Sequence, residues 1–486
     1  ESYFNGINNA LNLLSSKVGF GENHYRFDGS GITTATQVIS ENSEMFRTLK
    51  KHEIILNEVI IDVCKALMYI HNTFTDNSFK FNLDANIEIK FDDSIIEDKE
   101  TEIVIIPGDL VKNGEKESHN SFIKELYRLK ENGKKVYVIT AGHDYNDSAY
   151  ILKDDGRVPV EGTDFDDLCD MYRDFGYEDA IAFDEATHSY VTEVVSGVRM
   201  LAICCDSKGQ PKGTMDDRLM AWAKEQLDKS NADGCSMFAI CHYPIIPSVP
   251  VFDFVGDAKI KEWRKVASFL ADNGVELAFT GHMHIQSINE FYSEKGNRFI
   301  DVCTSCLVGS PAKYRKIEID ENSILKIESI SVKDFGWNMN GLPTQEYFDR
   351  QFRGAIVERI LRALNGGDGI IKHLKNLGKK FITSATIGTL SRLLFIRVDK
   401  SIKNKKLTDL IGEVGLAIFT GDMPYIEGTP IHSAFVKVLK RFSFIIKKVE
   451  PKLQKGDNKI DLKEMLLNTI GNNKGYSDND AEFKLR

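Results

Sequence analysis

The sequence predicts an α/β fold for the middle of the chain, with a mainly helical segment before it and a helical domain after it. Between about residues 102 and 335, short apolar runs alternate with amphipathic helical patterns, as they do in α/β domains. Before them, residues 36–72 contain neither glycine nor proline and repeat apolar residues at helical spacing. After about residue 341 the pattern is again helical, and it is basic.

Length and charge divide the chain into parts. Its 486 residues exceed what a single hydrophobic core usually holds. The net charge is −7 over residues 1–101, −13 over residues 102–340 and +10 over residues 341–486. Such different balances indicate separate physical units. We therefore predict three parts, which are a first segment over residues 1–100, an α/β domain over residues 101–340 and a basic helical domain over residues 341–486.

The positive charge of the last part suits an anionic partner, either nucleic acid or a membrane surface. Its final residues, 472–486, are mostly polar, and we expect them to be mobile.

Composition is typical of a globular protein. Hydrophobic residues make up 42% of the chain and charged residues 28%, which argues against global disorder. No apolar run reaches the roughly 18 residues needed to cross a bilayer, and the first residues lack the layout of a secretory signal. We therefore expect a cytoplasmic protein. Most of the eight cysteines lie in apolar stretches and are expected to be buried free thiols.

The first segment is predicted to contain the long helix over residues 36–72 and a strand over residues 79–91, followed by an acidic connector. This segment contains the text TATQVISENSEMFRTLKKHE, followed by the rest of the helix and by IEIKFDDSIIEDKE. These features resemble the C-terminal part of tailed-phage portal (minor capsid) proteins. The resemblance implies a structural segment that assembles with copies of itself. It also implies a virion-associated location as an alternative to the cytoplasm.

Polar residues follow four predicted strands of the α/β part, at the point where each strand ends. The strands lead, in order, into Asp109, into His143, into His242 and into GHMH, which holds His282 and His284. Residues at such positions lie at the rim of a sheet. Imidazole and carboxylate together suit zinc, iron, manganese or nickel rather than calcium. The pattern therefore indicates a metal site at this rim.

Each of these residues also has an ordinary structural interpretation. An Asp after a strand is more often a helix cap or a turn residue, and His242 after FAIC could be a core histidine. The order of the four elements along one α/β segment favours the metal site.

The order along the chain is strand-GD, strand-GHD, strand-CHYP and strand-GHMH. It resembles the order of motifs in the calcineurin-like metallophosphoesterases, which is DxH, GD, GNH, an isolated His and GHxH. The resemblance implies a sheet sandwich with helices and an enzyme that hydrolyses phosphate esters with metal-activated water. It implies one or two divalent cations, Mn, Fe, Zn or Ni. It also implies that Asp109 bridges two metals, that His242 and His282 bind one and His284 the other, and that His143 assists the leaving group.

Two departures from the family pattern stand out. Gly142 takes the place of the family's Asn ligand, so Asp144 or a water would have to replace it. No DxH precedes Asp109. Asp92 and Asp93 follow a predicted strand, as the missing Asp should, and are possible substitute ligands, although the short segment between them and Asp109 offers little room for a parallel crossover. His71 is better spaced, but it lies in a helical run without an Asp two residues before it. We therefore expect a dinuclear site that is impaired.

Loop residues after His242 are candidates for substrate contact, in particular Tyr243 and Phe254. Two rival functions remain at this level. One is a portal-type structural fragment fused to an inactive phosphoesterase-like domain, and the other is an inactive phosphoesterase fold that serves as a binding module.

Overall fold

The computed structural model describes residues 59–74, 80–84, 102–153, 156–320, 322–333, 339–363, 380–453, 461–471 and 474–486. The chain falls into two compact units. One comprises residues 1–104 and 124–136, and the other, larger unit comprises residues 105–123 and 137–486.

The described residues form an α/β structure, which confirms the predicted fold class. In chain order the strands are β1 Ile103–Pro107, β2 Lys135–Ile139, β3 Tyr150–Lys153, β4 Gly156–Pro159, β5 Ala182–Asp184, β6 Ser189–Val195, β7 Val198–Ile203, β8 Ser236–Cys241, β9 Leu277–Thr280, β10 Ser287–Tyr292, β11 Arg298–Cys303, β12 Lys313–Ile319, β13 Ile324–Ser331 and β14 Ala481–Lys484. The helices are α1 Lys116–Glu131, α2 Leu168–Met171, α3 Asp217–Ala232, α4 Trp263–Asp272, α5 Thr344–Ala363, α6 Ile387–Leu393, α7 Leu407–Thr420, α8 Pro430–Arg441, α9 Ser443–Leu453 and α10 Leu462–Ile470.

A seven-stranded sheet is the centre of the larger unit, in the order β10-β11-β9-β8-β7-β6-β5. The neighbours β11, β9, β8 and β7 run parallel to one another, and the outer pairs are antiparallel. The other sheets contain β12-β13-β14, β1-β2 and β3-β4. Because β7, β8 and β9 are parallel neighbours, the loops that follow them leave from the same edge of the sheet.

Both faces of the central strands are covered, which explains why these strands are apolar throughout. On one face, side chains of β7 and β8 such as Leu201, Ile203 and Ala239 pack with Leu219 of α3 and Val266 of α4. On the other face, a buried cluster joins the seven-stranded sheet to the three-stranded one, and its members are Leu277, Ile288, Ile300, Val302, Leu325, Ile327 and Phe483. This second sheet agrees with the predicted sheet sandwich.

In the smaller unit, residues 59–74 are helical, as predicted for the end of the long helix. Residues 80–84 form a turn where the sequence predicted the start of a strand, because Asn82 accepts a hydrogen bond from the N–H of Asp84 (3.1 Å). The Asn72 side chain fixes this turn through two hydrogen bonds with the backbone of Phe81 (2.8 Å each). The rest of the predicted helix and strand lies outside the described residues, and self-assembly through this segment stays a prediction.

The C-terminal part is helical, as predicted, but its last residues return to the sheet. β14 pairs with β13 in antiparallel fashion, with Leu325 opposite Phe483. Asp478 accepts a hydrogen bond from the N–H of Ile288 (3.0 Å), and Arg315 donates to the backbone oxygen of Asp478 (2.8 Å). The expectation of a mobile tail is therefore wrong for these residues, because Phe483 is buried. The anionic partner of this part stays a prediction.

Among the described residues, every helix is too short or too polar to cross a lipid bilayer.

Replacement of Phe483 by Ala tests the contribution of the last strand. Because Phe483 is 7% exposed and lies in the cluster between the sheets, its loss should reduce the free energy of unfolding by about 3–5 kcal/mol, measured by urea denaturation. Glu482→Ala, at the exposed neighbouring position of β14, should change it by less than about 0.5 kcal/mol. Equal effects of the two substitutions would contradict a role of Phe483 in joining the sheets.

Candidate metal centre

Three loops meet where β1, β8 and β9 end. Asp109 follows β1, His242 directly follows β8, and His282 follows β9. The N–H of Gly281 donates a hydrogen bond to the backbone oxygen of His242 (2.9 Å), which fixes the loops after β8 and β9 against each other. These are strand ends that the sequence predicted.

The side chains of Asp109, His242 and His282 converge on one point. Nε2 of His242 lies 3.1 Å from Oδ2 of Asp109 and 3.1 Å from Nδ1 of His282. One ligand atom from each of the three residues lies within 4.8 Å of the other two. Among the described residues, no other group of three His, Cys, Asp or Glu side chains comes together in this way.

Backbone carbonyls orient both imidazoles. Nδ1 of His242 lies 2.8 Å from the oxygen of Pro107, and Nε2 of His282 lies 2.7 Å from the oxygen of Asp257. Since a carbonyl only accepts hydrogen bonds, each of these ring nitrogens must donate. The opposite nitrogen of each ring then faces the centre. Metal-binding histidines usually have this arrangement, in which a backbone or carboxylate oxygen holds the second N–H.

Proton affinities at the centre reflect the same geometry. Burial raises the pKa of Asp109, but the hydrogen bond and the charge of His242 outweigh that effect and lower the pKa to about 2. Burial lowers the pKa of His242, whereas its hydrogen bond and charge interaction with Asp109 raise it to about 9. Burial and the charge of His242 lower the pKa of His282 to about 4, against the opposing charges of Asp109 and Asp206. The shifts of Asp109 and His242 thus reflect the close approach of their side chains and their burial.

The backbone at this rim is unusual. Asp109, His282 and His284 have φ angles of 54°, 63° and 56°, in the left-handed region that residues with a side chain seldom occupy. Gly108 has φ 87°, and a Cβ on it would lie 3.0 Å from Nδ1 of His242. Left-handed residues of this kind cluster at functional sites because the surrounding structure must offset their strain.

Two further predicted residues flank the centre. The backbone N–H of His143 donates to Oδ1 of Asp109 (3.3 Å), and Nδ1 of its exposed side chain lies 2.6 Å from the oxygen of Lys112. His284 is also exposed, and it lies outside the group of three convergent side chains.

The remaining predicted residues lie apart from the convergent atoms or outside the described residues. Asp144 is fully buried, and its two oxygens accept from the N–H groups of Val111 (3.0 Å) and Ala141 (2.8 Å). Burial, followed by the charge of Asp109, raises the pKa of Asp144 to about 7. His71 lies in the smaller unit, with its ring 5.0 Å from that of Phe81. Asp92 and Asp93 lie outside the described residues.

The two candidate substrate contacts differ in position. Tyr243 is 3% exposed, and its ring lies against the ring of His282 with centroids 4.0 Å apart. Phe254 is half-buried and ends the short 3₁₀ helix Pro250–Phe254.

Asp206 is a buried carboxylate that the sequence motifs did not indicate. It lies three residues beyond β7, is 5% exposed and accepts hydrogen bonds from the N–H groups of Gly142 (2.9 Å) and Gly213 (3.1 Å). The available signal was the apolar run VRMLAI followed by CCD, which is one more strand that ends next to an acidic residue.

Comparison with known families identifies the region that carries this centre. Residues 70–286 match the family model of the calcineurin-like phosphoesterases, a range that includes Asp109, His143, His242, His282 and His284. The match covers somewhat less than half of the chain, and it begins before β1, inside the predicted first segment. It supports a metal-dependent phosphoesterase domain, whereas the portal resemblance is not shown.

Two solved structures are similar to the chain at low identity. A dimetal phosphatase from Danio rerio is 10% identical, with 47% of this chain and 81% of that chain covered and a TM-score of 0.34. A purple acid phosphatase from yellow lupin (Lupinus luteus) seeds is 14% identical, with 47% and 44% covered and a TM-score of 0.33. A comparison with curated proteins finds no match.

A pair of glycine substitutions tests the close approach of Gly108 to His242. Gly108 and Gly197 both have positive φ (87° and 77°), but a Cβ on Gly197 would meet no described atom within 4 Å. Gly197→Ala should therefore cost only the left-handed backbone strain, about 1–2 kcal/mol of unfolding free energy. Gly108→Ala should cost about 2–5 kcal/mol, because the added Cβ would also lie too close to Cβ of Ala141 (2.9 Å) and Nδ1 of His242 (3.0 Å). Chemical denaturation in the presence of a chelator measures the free energy of unfolding of both variants. Equal losses would show that the backbone at Gly108 is not in tight contact with its neighbours.

Proposed function

We propose that this protein is a phosphoesterase in which Asp109, His242 and His282 hold a divalent cation that is required for hydrolysis of a phosphate ester. The observation that carries the proposal is the convergence of one carboxylate oxygen and two imidazole nitrogens, in which Nε2 of His242 lies 3.1 Å from each of the other two atoms. The family match of residues 70–286 supports the same chemistry.

The donor set fits a metal ion. Both rings are held by backbone carbonyls on their outer nitrogens, so no side-chain rearrangement is needed for the inner nitrogens to act as ligands. Imidazole and carboxylate suit zinc, manganese, iron or nickel. When bound, such a cation withdraws charge from phosphoryl oxygens and makes water a stronger nucleophile near neutral pH.

His143 is positioned to assist the leaving group. Because Nδ1 donates to the oxygen of Lys112, Nε2 is the ring nitrogen that can give a proton to the departing oxygen. The backbone N–H of His143 also donates to Asp109, so the proposed acid and the proposed metal ligand are held at fixed positions relative to each other. The exposure of the ring leaves it accessible to a substrate.

A second cation would need ligands besides Asp109 and His284. The described residues bring together only one set of three suitable side chains, and Asp92 and Asp93 lie outside them. We therefore propose that one cation position dominates, in line with the missing DxH motif. Tyr243 supports this position by packing against the ring of His282. Because Tyr243 is buried, its side chain is better placed to support that ring than to contact the substrate.

Removal of one ligand should test the cation position directly. We expect His282→Ala to lower the metal content of the purified protein to less than half and to slow hydrolysis of a nitrophenyl phosphate by at least about a hundredfold, which is about 2.7 kcal/mol of activation free energy. The matched control is His432→Ala, on α8, which should leave both measurements unchanged. Unchanged metal content in His282→Ala would rule out the assigned centre.

Replacement of His143 should separate acid catalysis from metal binding. His143→Gln should keep the metal content and slow hydrolysis of an alkyl phosphate by about 10²–10⁴-fold. The loss should be much smaller for a nitrophenyl ester, because nitrophenolate departs without protonation. A loss of equal size for both esters would contradict the role of leaving-group acid.

A further inference from the structure

Several large apolar side chains of the helical C-terminal part are exposed to solvent. Phe395, in the turn after α6, is 88% exposed, and Phe444, in α9, is 69% exposed. Three neighbours along the chain are exposed as well, namely Leu393, Phe442 and Ile445. Single exposed apolar residues are normal in globular proteins, whereas a group of them indicates a surface that contacts a partner.

The backbone at Phe395 is strained although the side chain gains no burial. Phe395 has φ 54° and ends α6 in a turn. Its N–H donates to the oxygen of Arg392 (3.2 Å), and the N–H of Ile396 donates to the oxygen of Ser391 (2.9 Å). Glycine usually occupies this position of such a turn, because a side chain in the left-handed region is strained. A phenylalanine here contributes little to the fold, which points to a contact outside the chain.

α9 is held on one side and exposed on the other. It follows α8 after one residue, Phe442, whose N–H still donates to the oxygen of Val438 (3.0 Å). On the held side, Glu450 accepts a hydrogen bond from the N–H of Leu462 (2.8 Å), and Ile446, one turn earlier, is partly buried. The remaining residues of 443–449 are exposed. The exposed side of α9 therefore carries its apolar residues into solvent.

The turn after α6 lies beside α8. Nζ of Lys437 donates to the backbone oxygen of Arg397 (2.7 Å), and Ile431 of α8 packs against the buried cluster that contains Ile387 of α6. Lys437 lies two helical turns before Phe444, on the same side of the helix pair, because residues seven apart share a face. The apolar residues of the turn and of α9 thus border one region of surface.

Basic residues surround these apolar side chains. Residues 430–449 contain five Lys or Arg and no Asp or Glu, and residues 392–406 contain six Lys or Arg and one Asp. On α8 and α9 the exposed basic residues next to the aromatic ones are Lys440, Arg441, Lys447 and Lys448. No acidic residue within the helical stretch 430–449 neutralises them, so the surface complements an anionic partner.

The exposed aliphatic residues distinguish between two kinds of anionic partner. Single-stranded nucleic acid binds through phosphate contacts and through stacking on aromatic rings, and side chains such as Leu393 and Ile445 offer neither. The surface of an anionic bilayer accepts both features. Apolar side chains enter the region between the headgroups, and Lys and Arg attract the lipid phosphates and carboxylates.

We propose that the turn after α6 and the helices α8 and α9 dock this protein on a membrane surface that contains anionic lipids, with Phe395 and Phe444 inserted between the headgroups. The inference is independent of the proposed phosphoesterase activity, since it uses none of the residues of the candidate metal centre. It assigns one partner to the basic part of the chain.

The test is sedimentation of the full chain with vesicles of phosphatidylcholine alone or of phosphatidylcholine and phosphatidylserine in equal amounts. We expect binding to the mixed vesicles only. Phe444→Ser and Phe395→Ser should each weaken it by about tenfold, because each removes a large apolar side chain from the lipid. Lys447→Gln should weaken it by about fivefold. The matched controls are Leu152→Ser (65% exposed) and Lys229→Gln, on α3, which should change it by less than about twofold.

Both aromatic positions are exposed, so each variant should unfold at the temperature of the unaltered chain, and either one keeps the test valid if the other does not fold. Absence of binding to the mixed vesicles, or equal weakening by Leu152→Ser and Phe444→Ser, would overturn the inference. Unchanged vesicle binding in both Phe variants, with binding of a single-stranded DNA oligonucleotide that Lys447→Gln weakens, would overturn it in favour of nucleic acid. A dimer that Phe444→Ser converts to a monomer, without vesicle binding, would show that a second copy covers this surface instead.

Discussion

The candidate centre depends on the way His242 is held between two oxygens from the end of β1 and its loop. One of its nitrogens bonds to the oxygen of Pro107, 135 residues away in the chain, and the other faces Asp109. Because the imidazole is 3% exposed, both nitrogens need protein partners. This requirement fixes the loop after β1 against the end of β8. The bond from Gly281 to the backbone of His242 then brings in the loop after β9.

The rim of the sheet is unfavourable by itself. Three left-handed residues cost about 1–2 kcal/mol each, and three carboxylates are gathered on consecutive amides. The apolar layers beneath, around Leu201 and Ala239, offset these costs because they fix the strands from which the loops depart. Backbone hydrogen bonds consequently hold the imidazoles of His242 and His282 in place, which reduces the reorganisation that cation binding requires.

Sequence patterns located the strand ends well, since an apolar run followed by Gly-Asp, Gly-His or Cys-His is a local signal. They could not show which strands are neighbours, because pairing depends on contacts between distant residues. The position of Asp206 beside the loop after β2 was missed for this reason, since its hydrogen bond from Gly142 joins residues that are far apart in the chain. Phe483 was missed as well. A short, mostly polar tail with two aromatic residues looks mobile until β13 is seen to be its partner.

The pairing of β13 with β14 has a consequence for synthesis of the protein. About 150 residues separate the two strands, and at a usual rate of translation the ribosome needs about 8 to 30 s to produce them. During that time one edge of β13 has no partner strand from its own chain, and the apolar cluster lacks Phe483. An unpaired edge beside apolar surface is where nascent chains associate wrongly. Until β14 is synthesised, this polypeptide is therefore exposed to wrong association along that edge.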